Sequence, residues 1–153
     1  MGMDVFGRKA TSADGEYFRR NVWGWHPLAT LCEDLAPEIT SACQHWHSND
    51  GDGLDAVKAT ELADRLEELV ANGAIAAYVK HRDEALASLP DEACSQCDGT
   101  GRRRDTPDSA ATVCKQCSGR ATKRPFVTYY CLDAADVTEW ISFLRSCGGF
   151  NIY

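Results

Sequence analysis

The chain has 153 residues, 44% apolar and 25% charged, which suits one ordinary domain with a buried core and argues against disorder. A formal charge of −7 disfavours broad non-specific attraction to nucleic acid, and no apolar run approaches membrane-spanning length. Residues 1–10 include Asp4, Arg8 and Lys9 where a signal peptide would carry an apolar stretch, so a cytoplasmic protein is expected, with eight cysteines serving as metal ligands and buried core thiols rather than four disulfides.

In chain order, residues 3–6 read as a short strand and 11–15 as a polar turn. Residues 16–25 have no clear period, but Tyr17, Phe18, Trp23 and Trp25 predict packing against the core. An aromatic binding patch at Trp23, Trp25 and His26 is the less favoured reading, and Arg19-Arg20 reads as a solvated face. Pro27 suits the first turn of a helix striped by Leu28, Leu31, Cys32 and Leu35. Pro37 ends it and begins a second helix striped by Ile39, Cys43 and Trp46. Residues 49–53 form a loop, and Asp55 caps a third helix with Leu62, Leu66, Leu69 and Val70 on one face. Asn72-Gly73 stops that helix. A fourth spans 75–89, with Ile75, Val79, Leu86 and Leu89 on one side, and Pro90 closes it. Residues 126–132 alternate aromatic and β-branched types and predict a strand. Asp133 and Asp136 form a capping box for a fifth helix, buried through Val137, Trp140, Ile141 and Leu144. Residues 150–153 read as a last strand, and the three strands are expected to pair in one small sheet.

Between the fourth helix and the strand at 126 lie two cysteine knuckles. They read Cys94-Ser-Gln-Cys97-Asp-Gly99-Thr-Gly101 and Cys114-Lys-Gln-Cys117-Ser-Gly119, with sixteen residues between the pairs. Two residues between cysteines let the backbone turn so that both sulfurs face one ion, and the following glycine accepts positive φ. Two such turns supply four soft thiolates in a tetrahedron, which predicts one structural Zn²⁺ on Cys94, Cys97, Cys114 and Cys117. Four cysteines leave no open position for catalysis, and dithiol redox chemistry is the weaker alternative.

Charge is uneven. Residues 1–93 carry 8 basic and 17 acidic side chains, whereas 94–125 carry 7 basic and 3 acidic. The seven are Arg102, Arg103, Arg104, Lys115, Arg120, Lys123 and Arg124, the candidate contacts for a partner or nucleic acid. No aromatic residue between the knuckles offers a base-stacking surface. A second candidate site is His45, His47, Asp50 and Asp52. Asp50, Asp52 and Glu61 would match positions 1, 3 and 12 of a calcium loop, but Leu54 and Asp55 break its positions 5 and 6, so a turn followed by an N-cap is favoured. An enzyme using His26, His45, His47 and Asp50 is a further alternative.

The first knuckle resembles the C-x-x-C-x-G-x-G repeat of the DnaJ-type (Hsp40) cysteine-rich zinc domain, which implies a zinc fold. The second departs from it, with Ala121 where the second glycine belongs, and His26-Pro27 is followed by Leu28 rather than the aspartate of a J domain. Residues 3–28, 47–56 and 143–153 resemble a family of small uncharacterised proteins of bacterial and phage genomes. That resemblance implies no activity, but suggests a phage-encoded modulator or inhibitor of a host defence protein.

The expected fold is α+β: a helix-rich single domain with a small sheet and an inserted Cys₄ zinc hairpin. Residues 1–93 would form a helical body with an N-terminal strand, 94–125 the zinc hairpin, and 126–153 a strand–helix–strand completing the same domain. The expected function is a non-enzymatic zinc-binding protein that engages a protein partner, with nucleic acid as the alternative ligand and no membrane role.

Overall fold

The structure is a computed structural model that describes residues 2–103 and 110–153. The chain order is β1 (Gly2–Gly7), a 3₁₀ turn (Ala13–Gly15), β2 (Tyr17–Asn21), α1 (Val22–Leu35), α2 (Pro37–Thr40), α3 (Ala56–Ala71) and α4 (Ala74–Ser88). Four two-residue strands follow: β3 (Glu92–Ala93), β4 (Arg102–Arg103), β5 (Thr112–Val113) and β6 (Thr122–Lys123). A second 3₁₀ turn (Phe126–Tyr129), α5 (Ala134–Ser146) and β7 (Phe150–Ile152) complete it. The fold is α+β and helix-rich, as expected. Two compact units divide the chain, one of Met1–Arg82 with Tyr130–Tyr153, the other of Asp83–Tyr129.

The first unit holds an antiparallel sheet in the order β2-β1-β7. Strand alternation sets its faces: Met3, Val5 and Phe18 point into the core, while Phe6 and Tyr17 face outward. The third strand of the sheet is therefore β2, and the strand expected over 126–132 does not form. Main-chain pairing on both sides of β1 is already taken by β2 and β7. Residues 126–129 instead coil around Pro125, whose carbonyl accepts from the Thr128 N–H (3.0 Å) and hydroxyl (2.7 Å).

Helix α1 starts five residues before the expected Pro27. Asn21 is the reason, since its side chain accepts from the Gly24 N–H at 3.0 Å and caps the helix there. Pro27 sits inside α1 and gives the ladder no N–H. Helix α2 is shorter than expected and stops at Thr40, so Cys43 and Trp46 are buried from a turn rather than from a helix stripe. Trp46 is held by its own indole N–H on the Thr40 carbonyl (3.0 Å), and its carbonyl accepts from the Trp25 indole (2.7 Å). Asp55 caps α3 through the Lys58 N–H at 2.8 Å. Leu62, Leu66 and Leu69 are buried, but Val70 at the edge of that stripe is 43% exposed. Helix α5 begins at the expected Asp133–Asp136 capping box. It packs Val137, Trp140, Ile141, Phe143 and Leu144 into the same core.

Of the four cysteines outside the knuckles, Cys32, Cys43 and Cys147 are buried as expected, whereas Cys131 is exposed. Burial pushes the Cys32 and Cys43 thiols up to about 12, which makes them inert packing groups. The loop at 51–54 runs beside β7. The Phe150 and Ile152 N–H groups donate to Leu54 and Asp52 carbonyls (2.9 and 2.8 Å), and the Gly51 N–H donates to Ile152 (2.8 Å). Glycine is required at position 53, where a Cβ would lie 2.0 Å from the Phe150 carbonyl oxygen. No helix among the described residues is long and apolar enough to cross a membrane.

Candidate metal centre

The second unit is built on a near-repeat. In the first knuckle the Cys94 carbonyl accepts from the N–H groups of Cys97 (3.2 Å) and Gly99 (3.1 Å). In the second, the Cys114 carbonyl accepts from Gly119 at 3.2 Å. Each turn closes through two left-handed residues, Asp98-Gly99 and Ser118-Gly119. The knuckles then cross-brace one another: Cys94 N–H donates to the Ala121 carbonyl (2.8 Å) and Cys114 N–H to the Gly101 carbonyl (2.9 Å). The strand entering one knuckle pairs with the strand leaving the other, β3 with β6 and β4 with β5.

This bracing brings the four thiols together. The Sγ atoms all lie within 4.8 Å of one another, and each cysteine is 5% exposed or less. Four metal–sulfur bonds of 2.3 Å in a tetrahedron would set the sulfurs about 3.8 Å apart. The Cys94–Cys114 and Cys97–Cys117 separations are 3.9 and 3.8 Å, so the tetrad has the size of such a site and could hold a metal ion. The Gly101 N–H reaches Cys97 Sγ at 3.3 Å, a donor that supports thiolate charge. Hydrogen bonding from the Cys117 main chain pulls the Cys114 thiol below its ordinary value, while burial pushes Cys94 up.

No known family model, curated protein or solved structure matches this chain.

Most of the basic side chains around the tetrad brace the unit. Arg124 donates to the carbonyls of Leu86 and Leu89 (both 2.6 Å) and lies 3.3 Å from Asp91, so it closes the C-terminal end of α4. Arg102 donates to Ala111 (2.9 Å), Arg103 to Gln96 (2.7 Å) and Arg120 to the Cys117 carbonyl (3.3 Å). Arg103 and Lys115, with Gln96, Thr112 and Gln116, line an open cavity of about 400 Å³ beside Cys114. Lys123 lies in β6, and Arg104 falls outside the described residues.

The histidines and aspartates of 45–52 go separate ways. Asp52 turns to the main chain and accepts from the N–H groups of Gln44 (2.7 Å), His45 (3.1 Å) and Gly53 (2.8 Å). Asp50 bonds Ser48, with His45 at 3.6 Å. His47 points elsewhere, placing Nδ1 2.8 Å from Nδ1 of His26 and Nε2 2.8 Å from Glu33. His26 and His47, two of the four residues of the enzyme alternative, thus do meet, and Glu33, which that reading did not include, joins them. Their ring centroids are 5.0 Å apart, so the two nitrogens point almost head-on, as in a hydrogen bond and unlike ligands converging on one ion. Among the described residues, the four cysteines are the one group of three or more such side chains with metal-holding geometry.

Proposed function

We propose that this protein is a non-enzymatic protein-binding module whose cysteine-rich unit is shaped by one structural Zn²⁺ on Cys94, Cys97, Cys114 and Cys117. The observation that carries this reading is the closure of the tetrad. Four buried sulfurs within 4.8 Å of one another can fill all four positions of a tetrahedral ion, which suits a structural site and would leave none for a substrate or activated water. Zinc bound there would contribute folding energy, on the order of 10 kcal/mol for small zinc modules. The near-repeat of the knuckles supports kinship with DnaJ-type zinc hairpins. The resemblance to small bacterial and phage proteins supports a host protein, such as a defence protein, as the partner.

A protein ligand is favoured over nucleic acid by how the cations are used. Arg102, Arg103, Arg120 and Arg124 are engaged within the unit, no aromatic between the knuckles can stack a base, and the whole chain carries −7.

The test has two parts. Metal analysis of protein purified without added metal should give one zinc per chain, lost in Cys94→Ser and Cys114→Ser. Cross-linking of zinc-loaded bait in bacterial lysate should capture a discrete protein that metal-stripped bait does not. A folded, zinc-free protein would overturn the metal assignment. Salt-sensitive retention on single-stranded DNA, lost on Arg103→Ala with Lys115→Ala, would replace the protein ligand by nucleic acid.

A further inference from the structure

The sheet of the first unit has an edge with a groove beside it. Strand β2 is the outermost strand, paired only with β1. The Gly7 N–H donates to the Glu16 carbonyl, which fixes the phase of the ladder. By antiparallel alternation the main-chain groups of Phe18 and Arg20 then face β1, and those of Tyr17 and Arg19 face out of the sheet. Among the described residues no other strand meets that edge. The Arg19 carbonyl takes the Arg20 guanidinium at 3.0 Å, leaving the Tyr17 N–H and C=O and the Arg19 N–H as the edge's pairing groups.

Alongside runs an open groove of about 420 Å³ between β2, the first 3₁₀ turn and α5. Its apolar floor is Phe18 and Phe143, whose rings lie 5.8 Å apart. Both of its ends are acidic. Asp14 stands in the turn just before β2, and Glu139 stands on α5 at the Arg20 end. Arg20 there faces two carboxylates, Asp136 and Glu139, so that end keeps a negative excess.

We propose that this edge and groove bind an extended basic segment of a protein partner as an added strand antiparallel or parallel to β2, a reading that rests on the protein-binding function above. An added strand would take the main-chain groups of Tyr17 and Arg19. Every second side chain would point into the groove. The fitting inward pattern is basic, apolar, basic: one cation toward Glu139, one apolar side chain onto Phe18 and Phe143, one cation toward Asp14. Charge complementarity selects this occupant, since an acidic segment would set like charges together at both ends.

The probe is the capped peptide Lys-Thr-Leu-Thr-Lys, compared with Glu-Thr-Leu-Thr-Glu on the zinc-loaded full chain. Binding is read by calorimetry and by amide hydrogen exchange. The basic peptide should bind about tenfold or more tighter than the acidic one, and should slow exchange at Tyr17 and Arg19. Asp14→Lys should weaken it about tenfold; Asp14 is exposed in the 3₁₀ turn, so the fold should survive the change. Glu139→Gln should weaken it by a smaller factor. Equal binding of the two peptides, no binding of either, or protection that omits Tyr17 and Arg19 would overturn the proposal. So would protection of those amides that rises with protein concentration and no peptide, because the edge would then pair with a second copy. A cross-linked partner that binds Asp14→Lys as well as the parent would remove the groove and leave the protein-binding reading standing. Failure of the peptide together with failure to capture any partner would remove both.

Discussion

Ala121 holds a backbone conformation, φ +68°, that favours glycine. In the near-repeat it occupies the place of Gly101, at φ +72°. A Cβ in the left-handed region costs about 1–2 kcal/mol. Ala121→Gly should therefore stabilise the cysteine-rich unit by roughly 1 kcal/mol, less the added entropy of the unfolded chain. The reverse change at the matching position is worse than strain alone, because a Cβ on Gly101 would lie 2.5 Å from the Gly119 carbonyl oxygen. Competition with a coloured chelator should rank metal retention as Ala121→Gly, parent, Gly101→Ala, and any other order would refute the equivalence of the two positions. Asp52 supports a second residue-level prediction. Burial raises its pKa, but main-chain donors from Gln44, Gly53 and His45 outweigh that and hold the carboxyl below its ordinary 3.8. A depressed folded-state value means the stability it adds is present above the unfolded pKa and lost as pH falls through the folded one. Asp52→Ala should cost about 1–2 kcal/mol in urea unfolding at pH 7, and the gap from the parent should close below that pKa. A gap that stays constant into acid would show that lost packing, not the charged hydrogen bonds, is responsible.

At the scale of elements, the helices rest on local caps. Helix α5 carries two of the largest core rings, Trp140 and Phe143, and its first turn is closed by Asp133 accepting from Ala135 (2.9 Å) and Asp136 accepting from the Asp133 N–H (3.2 Å). Asp133→Ala should cost about 1 kcal/mol, measured as a lower urea midpoint with unchanged slope. A changed slope would mean that the substitution altered the surface exposed on unfolding rather than the cap alone. Features of this local kind were legible in the sequence. Asp55, Asp133 and Asn72-Gly73 marked their helix ends, and the two C-x-x-C pairs marked the tetrad, because each signal spans a few neighbouring residues. What depended on distant partners was hidden. Strand β2 carries Arg19-Arg20, which looks like a solvated face until Asp136 and Glu139, more than a hundred residues on, take Arg20. Residues 126–132 have strand-forming side chains, yet β propensity counts only where a half-buried pleated surface takes those side chains, and Phe126, Val127 and Tyr129 stay exposed. The sequence reading groups His26 with His47, but the extension of that pair to Glu33, through a turn that the Trp46 hydrogen bonds fix, was not legible. The role of Arg124 at the end of α4 was equally invisible, since the helix and its closing side chain are thirty-five residues apart.

The molecule as a whole has two buried clusters of different chemistry. One gathers Trp25, Trp46, Trp140, Phe143, Phe150 and the leucines of α1 and α3, all within Met1–Arg82 and Tyr130–Tyr153. The other, within Asp83–Tyr129, consists of the four knuckle cysteines. The first unit buries a large apolar cluster, whereas four small side chains bury too little apolar area to offset the entropy of ordering the turns around them. Metal binding is the term able to close that difference. A strong chelator at neutral pH should therefore abolish amide protection in β3, β4, β5, β6 and both knuckles, while β1, β2, β7, α3 and α5 keep theirs. Returning one equivalent of Zn²⁺ should restore the lost set. Acid should act in the same direction as the chelator, because protons compete with the metal for the thiolates. Loss spread evenly over both units would show that the metal supports a single cooperative structure. Protection that survives chelation in the knuckles would show that the cross-braces between Cys94 and Ala121 and between Cys114 and Gly101 suffice alone. Selective loss would instead assign the metal to the unit whose buried cluster is the tetrad, and would leave the aromatic core free to present the β2 edge in either metal state.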